Sequence, residues 1–272
     1  MPLPPTRRCI VSTATAAKPG LDTADLEQKV KDMYRDVALN PAGEFHFEMG
    51  RALAERLGYP ACDLDRIPAA AIDSFAGVGY YFHLAKLQAG ETVIDLGSGS
   101  GMDAFVAALH VGTTGSVLGV DMTGEQLDKA ERLRAAAGFD NVSYLKGYIE
   151  SVRRDDASFD AVISNGVINL APDKQRVFSE AARLLRRGGR LAIADIVTEA
   201  QLPDGVTEKA ALWAACIGGA MQVDQYLEAI KGAGLRLESI HDNPQYRFIS
   251  DNAKGAARKY GVKSVSLLAV KA

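Results

Sequence analysis

The sequence predicts an α/β protein built on a parallel sheet with helices on both faces, and three observations carry that expectation. Short apolar runs alternate with amphipathic stretches from Thr92 to Val197, a pattern of buried strands and covering helices. The first run, Thr92 to Leu96, passes through glycines at alternate positions, Gly97, Gly99 and Gly101, into a helix-like segment from Met102 to His110. The second run, Val117 to Val120, ends on an acid, Asp121. Right-handed crossovers put the C-terminal ends of all parallel strands on one edge, where such sheets bind ligands.

Taken in order, residues 1–20 lack acids, contain Arg7 and Arg8 and are broken by Pro2, Pro4 and Pro5. They are expected to be a flexible tail, with an organellar transit sequence as the alternative. Residues 21–88 are expected to form an N-terminal helical cap or lid. Asp22 or Thr23 is the N-cap of a helix running to about Leu39, with Leu26, Val30, Met33, Tyr34 and Val37 on one face. A second helix, about Glu44 to Leu57, carries Phe45, Phe47, Met49, Leu53 and Leu57. Pro60 and Pro68 mark a loop, and Gly77 and Gly79 a break before a short helix.

The remaining residues, 89–272, make the main domain. After Asp121 come a helix from Glu125 to Ala137, strands at Val142 to Leu145 and Phe159 to Ile163, and a helix from Lys174 to Leu185. That helix is expected to stop at Gly188-Gly189, with a strand from Arg190 to Val197 following. Glu208 to Gly219 and Val223 to Ala233 read as helices, and Leu235 to Asp242 and Val262 to Val270 as strands.

Bulk properties exclude several classes. With 272 residues and a net charge of -3 spread over both signs, no basic face is evident, so nucleic acid is not an expected partner. No apolar run approaches membrane-spanning length. Cys9, Cys62 and Cys216 are odd in number and widely spaced, which argues for a reducing, cytoplasmic setting rather than a disulfide framework. Nothing in the sequence decides between a monomer and a homodimer, and no metal site is expected.

The glycine loop indicates the ligand class. A strand that turns through glycines into a helix offers close backbone approach and free N–H groups, and an acid at the end of the second strand can accept from both ribose hydroxyls of a nucleoside. The dinucleotide pattern G-x-G-x-x-G fails because Met102 occupies the third glycine position. Asp95 would also repel a diphosphate. A nucleotide-dependent oxidoreductase is therefore disfavoured.

The segments YRDVAL, LGY, DSFAGVG, GETVIDLGSGSGMD, GVDMT, NVSYLKGYIE, SNGVINLAPDK and ACIGGA together resemble the arsenite methyltransferase family of class I S-adenosylmethionine (SAM) methyltransferases. The resemblance runs from about Val30 to the C-terminus. It implies a Rossmann-like seven-stranded sheet, mostly parallel with an antiparallel C-terminal strand, and SAM as cofactor with S-adenosylhomocysteine (SAH) as product. It also implies that Tyr34 lies over the cofactor and that Asp95, Gly97, Ser98 and Gly99 hold its methionine part. Asp121 and Met122 would hold the ribose and adenine, Ile149 and Glu150 the adenine edge, and Asn165 the far side of the sulfonium. A substrate-roof insert is expected at about residues 200–222.

The departures from that family bear on the acceptor. Its S-N-C-V-I-N-L cysteine is Gly166 here, Val78 and Tyr80-Tyr81 replace its G-C-G-N-P, and Cys216 alone of its thiols survives in matching context. Soft trivalent arsenic prefers several sulfur ligands. Phe45, His46, Phe47, Tyr80, Tyr81, His83 and Trp213 fall in segments that the family uses to roof its substrate pocket. Such side chains suit a flat organic acceptor, an aromatic or heteroaromatic carbon, nitrogen or oxygen, an indole-like ring among them. On that reading His46 or His83 is the base, Tyr80 or Tyr81 its hydrogen-bonding partner, and Phe47, Gly166, Trp213 and Cys216 surround the acceptor. Arsenite methylation at an altered thiol site and non-catalytic SAM binding are the alternatives.

Overall fold

The computed structural model describes residues 21–207, 213 and 217–272. Eight strands form one sheet: β1 (Thr92–Leu96), β2 (Ser116–Asp121), β3 (Val142–Lys146), β4 (Phe159–Asn165), β5 (Leu185–Thr198), β6 (Met221–Gln222), β7 (Leu235–Asp242) and β8 (Lys263–Lys271). Their order is β3-β2-β1-β4-β5-β8-β7, and the two-residue β6 pairs with the end of β5. β3, β2, β1, β4 and β5 run parallel, and β8 is antiparallel to both β5 and β7. This is the Rossmann-like arrangement of class I methyltransferases.

Alternation along the strands assigns each residue to a layer. Val93, Ala161, Ile163, Ala192 and Ala194 face a core shared with α6 (Met102–Val111) and the N-terminal helices. Ile94, Leu96, Val162, Leu191 and Ile193 face the opposite core. That second core is closed by α8 (Lys174–Leu184) and α10 (Val223–Gly232), where Phe178 and Tyr226 meet edge to face at 5.0 Å between ring centroids. Both faces of the central strands are dry, which accounts for their continuous apolar runs.

The N-terminal region comprises α1 (Thr23–Leu39), α2 (Arg51–Leu57), α3 (Ala61–Leu64), α4 (Ala69–Asp73) and α5 (Phe82–Ala85). Asp22 caps α1 by accepting from the N–H groups of Ala24 and Asp25. α1 packs on α7 (Gly124–Ala137). The Gln126 amide donates to the Tyr34 carbonyl at 2.7 Å, and Lys129 reaches the Ser74 hydroxyl at 2.8 Å. The helix expected from Glu44 is corrected: α2 begins only at Arg51, because Gly50 sits at φ +83°, outside helical backbone space. Phe45, His46 and Phe47 therefore lie on a loop.

Two further differences have local causes. Gly188-Gly189 does not end a helix before a new strand. α8 stops at Leu184, β5 starts at once, and the glycines lie in a register irregularity between the Phe159↔Leu185 and Ala161↔Arg190 pairs. α11 (Asp251–Tyr260), capped by the Ser250 hydroxyl on the Ala253 N–H, is not anticipated by the sequence pattern, since its apolar face is made of alanines. The helix expected over Glu208–Gly219 falls mostly outside the described residues. Of its neighbourhood, α9 (Asp204–Thr207) is helical and 217–219 form a turn.

Candidate active site

A cavity of about 580 Å³ opens where the C-terminal ends of β1, β2 and β4 meet α1 and α4. Its size falls in the range of ~300–1,000 Å³ common for small-molecule sites. The sheet order puts the end of β2, with Asp121, and the end of β4, with Asn165, on opposite sides of β1. The cavity therefore runs across the strand ends.

The glycine loop forms its floor. Gly97, Gly99 and Gly101 all adopt positive φ. Gly97 and Ser98 both donate their N–H to the Val120 carbonyl, at 2.8 and 3.0 Å. Asp121 fixes the loop from the other side: one carboxylate oxygen accepts the Gly99 N–H at 2.9 Å and the other the Thr123 N–H at 2.8 Å. Burial pushes the Asp121 carboxyl above its ordinary range, and these amides partly offset the shift.

Of the residues expected to hold a cofactor, Tyr34, Asp95, Gly97, Ser98, Gly99, Asp121, Met122, Ile149, Glu150 and Asn165 all line this cavity. Asp95 is 2% exposed, yet one of its carboxylate oxygens has no hydrogen-bond partner, and the buried Ser98 hydroxyl is likewise unpartnered. Burial first, then Asp103 and Asp121, push the Asp95 carboxyl well above its usual value. Orphaned polar atoms on a cavity wall are the signature of a site completed by a ligand, and a cationic one relieves three clustered acids. The residues present fit SAM, whose amino-acid tail and sulfonium carry positive charge.

Asn165 anchors the opposite end. Its carbonyl oxygen accepts the Val78 N–H at 2.8 Å, and its amide donates at 3.0 Å to the Asp103 carboxylate, to the Tyr59 hydroxyl and to the Gly79 carbonyl. Asn165→Ala strands these groups together, so a loss of roughly 2–3 kcal/mol of stability is expected, read as a lowered midpoint in chemical denaturation. An unchanged midpoint would rule out the network as a structural tie.

The expected acceptor residues are not brought together. Tyr80, Tyr81 and His83 do not line the cavity. Residues 78–81 instead lie against β5 and β8: Ser264 and Ser266 donate to the carbonyls of Val78 and Tyr80. A Cβ on Gly79 would sit 2.8 Å from the Ala194 side chain. Tyr81 is fully buried and donates its hydroxyl to Asp103 at 2.8 Å, so it stands behind the wall. Tyr80 stacks on the exposed His83, 5.5 Å between ring centroids. Burial and then His241 hold the His83 imidazole below its ordinary value.

His46 is also off the wall, edge-on to Phe47 at 4.7 Å, and Phe47 stacks in turn on Tyr34 at 6.2 Å. Trp213 is buried with its indole N–H on the Thr207 carbonyl at 2.6 Å and the Lys174 ammonium 4.8 Å from its ring centre. Gly166, at φ +70°, faces Val78 and is not on the wall. Cys9 and Cys216 lie outside the described residues. Cys62 is exposed and not on the wall.

Sequence reasoning missed Gln126, Asp103, Tyr59 and Tyr148, all part of the site or its support. Gln126 is 2% exposed on α7 and takes the Ser100 hydroxyl. An amphipathic reading of α7 treats it as a solvent residue. Tyr148 donates to Glu27 at 2.7 Å, linking the loop after β3 to α1 across the cavity mouth. The segments LGY, GETVIDLGSGSGMD and NVSYLKGYIE contain Tyr59, Asp103 and Tyr148 without giving them a role.

Residues 87–234 match the family model described as a methyltransferase domain. An arsenite methyltransferase of Halobacterium salinarum is 40% identical over 225 residues, which are 81% of this chain and 57% of that protein. The 27-O-demethylrifamycin SV methyltransferase of Amycolatopsis mediterranei is 30% identical over 70% of each chain. Among solved structures, an arsenic(III) SAM methyltransferase from Chlamydomonas reinhardtii superposes with a TM-score of 0.66 at 31% identity, covering 83% of this chain and 75% of that one. The chain spans 37–57% of the length of the first arsenite methyltransferases that it matches.

Proposed function

The chain belongs to the methyltransferase-domain family of class I SAM-dependent enzymes, and from that premise we propose that it transfers a methyl group to a small organic acceptor with an aromatic or heteroaromatic ring. One observation carries the choice of acceptor. The wall on the Asn165 side of β1 is built from Phe75, Ala76, Gly77, Val167, Leu170 and Ala171, with Tyr34 above the loop, and among the described residues no cysteine lines the cavity. An apolar and aromatic wall suits a ring more than a soft metalloid.

SAM supplies an electrophilic methyl group on a sulfonium. The residues of this chain position and exclude water. Asp95 and Ser98 would hold the amino-acid part, Asp121 and Met122 would hold the ribose and adenine, and Ile149 and Glu150 would border the adenine edge, all of them residues that line the cavity. Tyr34, tied by its carbonyl to Gln126, covers the site. Orientation of this kind is worth up to ~7–11 kcal/mol in a displacement reaction.

A histidine base does not fit this cavity at His83. His83→Ala is expected to leave turnover within about threefold of the native rate, because general-base removal costs roughly a hundredfold or more and this ring is exposed. A larger loss in an SAH-release assay would return His83 to the mechanism.

A second reading, arsenite methylation, is favoured by the 40% identity over 81% of the chain to the Halobacterium protein. SAH release by the purified protein separates the two. Turnover with indoles, phenols or heterocyclic amines supports the organic acceptor. Turnover with arsenite and thiol that Cys216→Ser abolishes would overturn it, and cofactor binding without SAH release in either tube would leave only a binding protein.

A further inference from the structure

The cavity wall holds a second buried acid whose surroundings differ from those of Asp95. Asp103, in the first turn of α6, is 5% exposed. One carboxylate oxygen accepts the Tyr59 hydroxyl at 2.6 Å, and the other accepts the Tyr81 hydroxyl at 2.8 Å and the Asn165 amide at 3.0 Å. Donors of this kind favour the ionised carboxylate. Asp95 keeps an oxygen without a partner although it is buried on the same wall. Among the described residues that line the cavity, Arg176 is the sole lysine or arginine, and its Nε donates to the Glu150 carbonyl at 3.3 Å. The buried, unpartnered oxygen of Asp95 therefore asks for a cation from outside the protein.

We propose that Asp103, tied to Asn165 on the sulfonium side of the site, favours the charged cofactor over its uncharged-sulfur product, while Asp95 takes the ammonium that both share, with Tyr59 and Tyr81 as positioning residues whose hydroxyls favour the Asp103 carboxylate. This rests on the reading that the cavity takes SAM. SAM carries a sulfonium that SAH lacks, and the two are otherwise alike. A negative charge near the sulfur therefore strengthens SAM binding and leaves SAH binding almost unchanged. At the short range and intermediate dielectric of a partly buried site, one such charge changes an affinity roughly tenfold or more. The product of transfer, having lost its positive charge, is then released from a seat that no longer favours it.

The groups facing this pair are Tyr59 from the loop after α2, Tyr81 from the segment before α5, Asn165 from β4, Asp121 from β2 and Tyr144 from β3. Burial raises the Asp103 carboxyl, and Tyr59, Asn165 and Tyr81 pull it back. For acids raised in the folded state, charge is lost as pH falls through the raised values, so the preference for SAM fades on the acid side.

Calorimetric titration of the full chain with SAM and with SAH tests this. Asp103→Asn is expected to lower the SAM-to-SAH affinity ratio roughly tenfold while SAH binding changes little. Tyr81→Phe is expected to keep the ratio near neutrality and to move its loss to higher pH. Equal weakening of both ligands by Asp103→Asn would reduce Asp103 to a structural role and overturn the proposal. Should Asp103→Asn fail to fold, an unmoved pH profile in Tyr81→Phe overturns it instead. A native protein that binds neither ligand refutes the cofactor reading itself, whereas one that binds both, with ratios unaltered in the variants, refutes only the selective seat.

Discussion

Asp121→Ala is expected to weaken SAM binding by roughly 10²–10⁴-fold and to remove turnover at ordinary cofactor concentrations, since two charge-assisted hydrogen bonds at ~1.5–3 kcal/mol each are at stake. The carboxylate has two duties. It accepts the Gly99 and Thr123 N–H groups, at 2.9 and 2.8 Å, which fixes the glycine loop and the turn into α7. It also lines the cavity, where it is proposed to accept from the ribose. Removing it leaves both amides unpaired and deletes the proposed ribose acceptor. Asp121→Asn keeps the volume but offers one acceptor oxygen for two amides, so an intermediate loss is expected. Calorimetry with SAM measures both. Affinity within threefold of native in Asp121→Ala would place the ribose elsewhere. The folding midpoint should fall as well, by roughly 1–3 kcal/mol, because two backbone amides lose their acceptor while relief of the carboxylate's burial offsets part of the loss.

The parts legible in the sequence were those where local pattern and fold agree. Val93 to Leu96 and Val117 to Val120 are continuous apolar runs because both faces of β1 and β2 are covered, and the glycines mark the floor of the cavity because the backbone there needs positive φ. Every cofactor residue implied by the family resemblance lines one cavity. The acceptor side was not legible. Tyr80, Tyr81 and His83 share a segment with Gly77 and Gly79, and nothing local reveals that this segment is held against β5 and β8 by Ser264 and Ser266 rather than over the strand ends. Aromatic residues look alike as pocket walls and as core. Only long-range partners decide, as for Tyr81 with Asp103 across 22 residues. Gln126 was hidden for the same reason, a polar residue of a surface helix made interior by α1 packing over it.

Gly97→Ala is expected to cost about 2–5 kcal/mol of stability, the sum of a left-handed backbone penalty of ~1–2 and an overpacking penalty of ~1–3. The backbone there cannot relax easily: φ is +78°, and the N–H groups of Gly97 and Ser98 are both committed to the Val120 carbonyl. A Cβ would stand 2.5 Å from both methyl carbons of Val167, which itself lines the cavity. The two components separate by design. Gly138, the C-cap of α7, is left-handed at φ +72° and has nothing within 4 Å of where an added methyl would stand, so Gly138→Ala carries only the backbone penalty and is expected to cost ~1–2 kcal/mol. Val167→Ala in the Gly97→Ala background opens the space that the methyl needs, so the double variant should recover the steric part and remain below native by about the Gly138→Ala loss. SAM affinity should follow the same order, because displacement of Val167 or of the loop reshapes the floor against which the cofactor lies. Denaturant midpoints and calorimetry on the same four proteins read both quantities. If the double variant is no more stable than Gly97→Ala, the clash with Val167 is not what glycine is needed to avoid, and the loop requires glycine for its backbone angle alone.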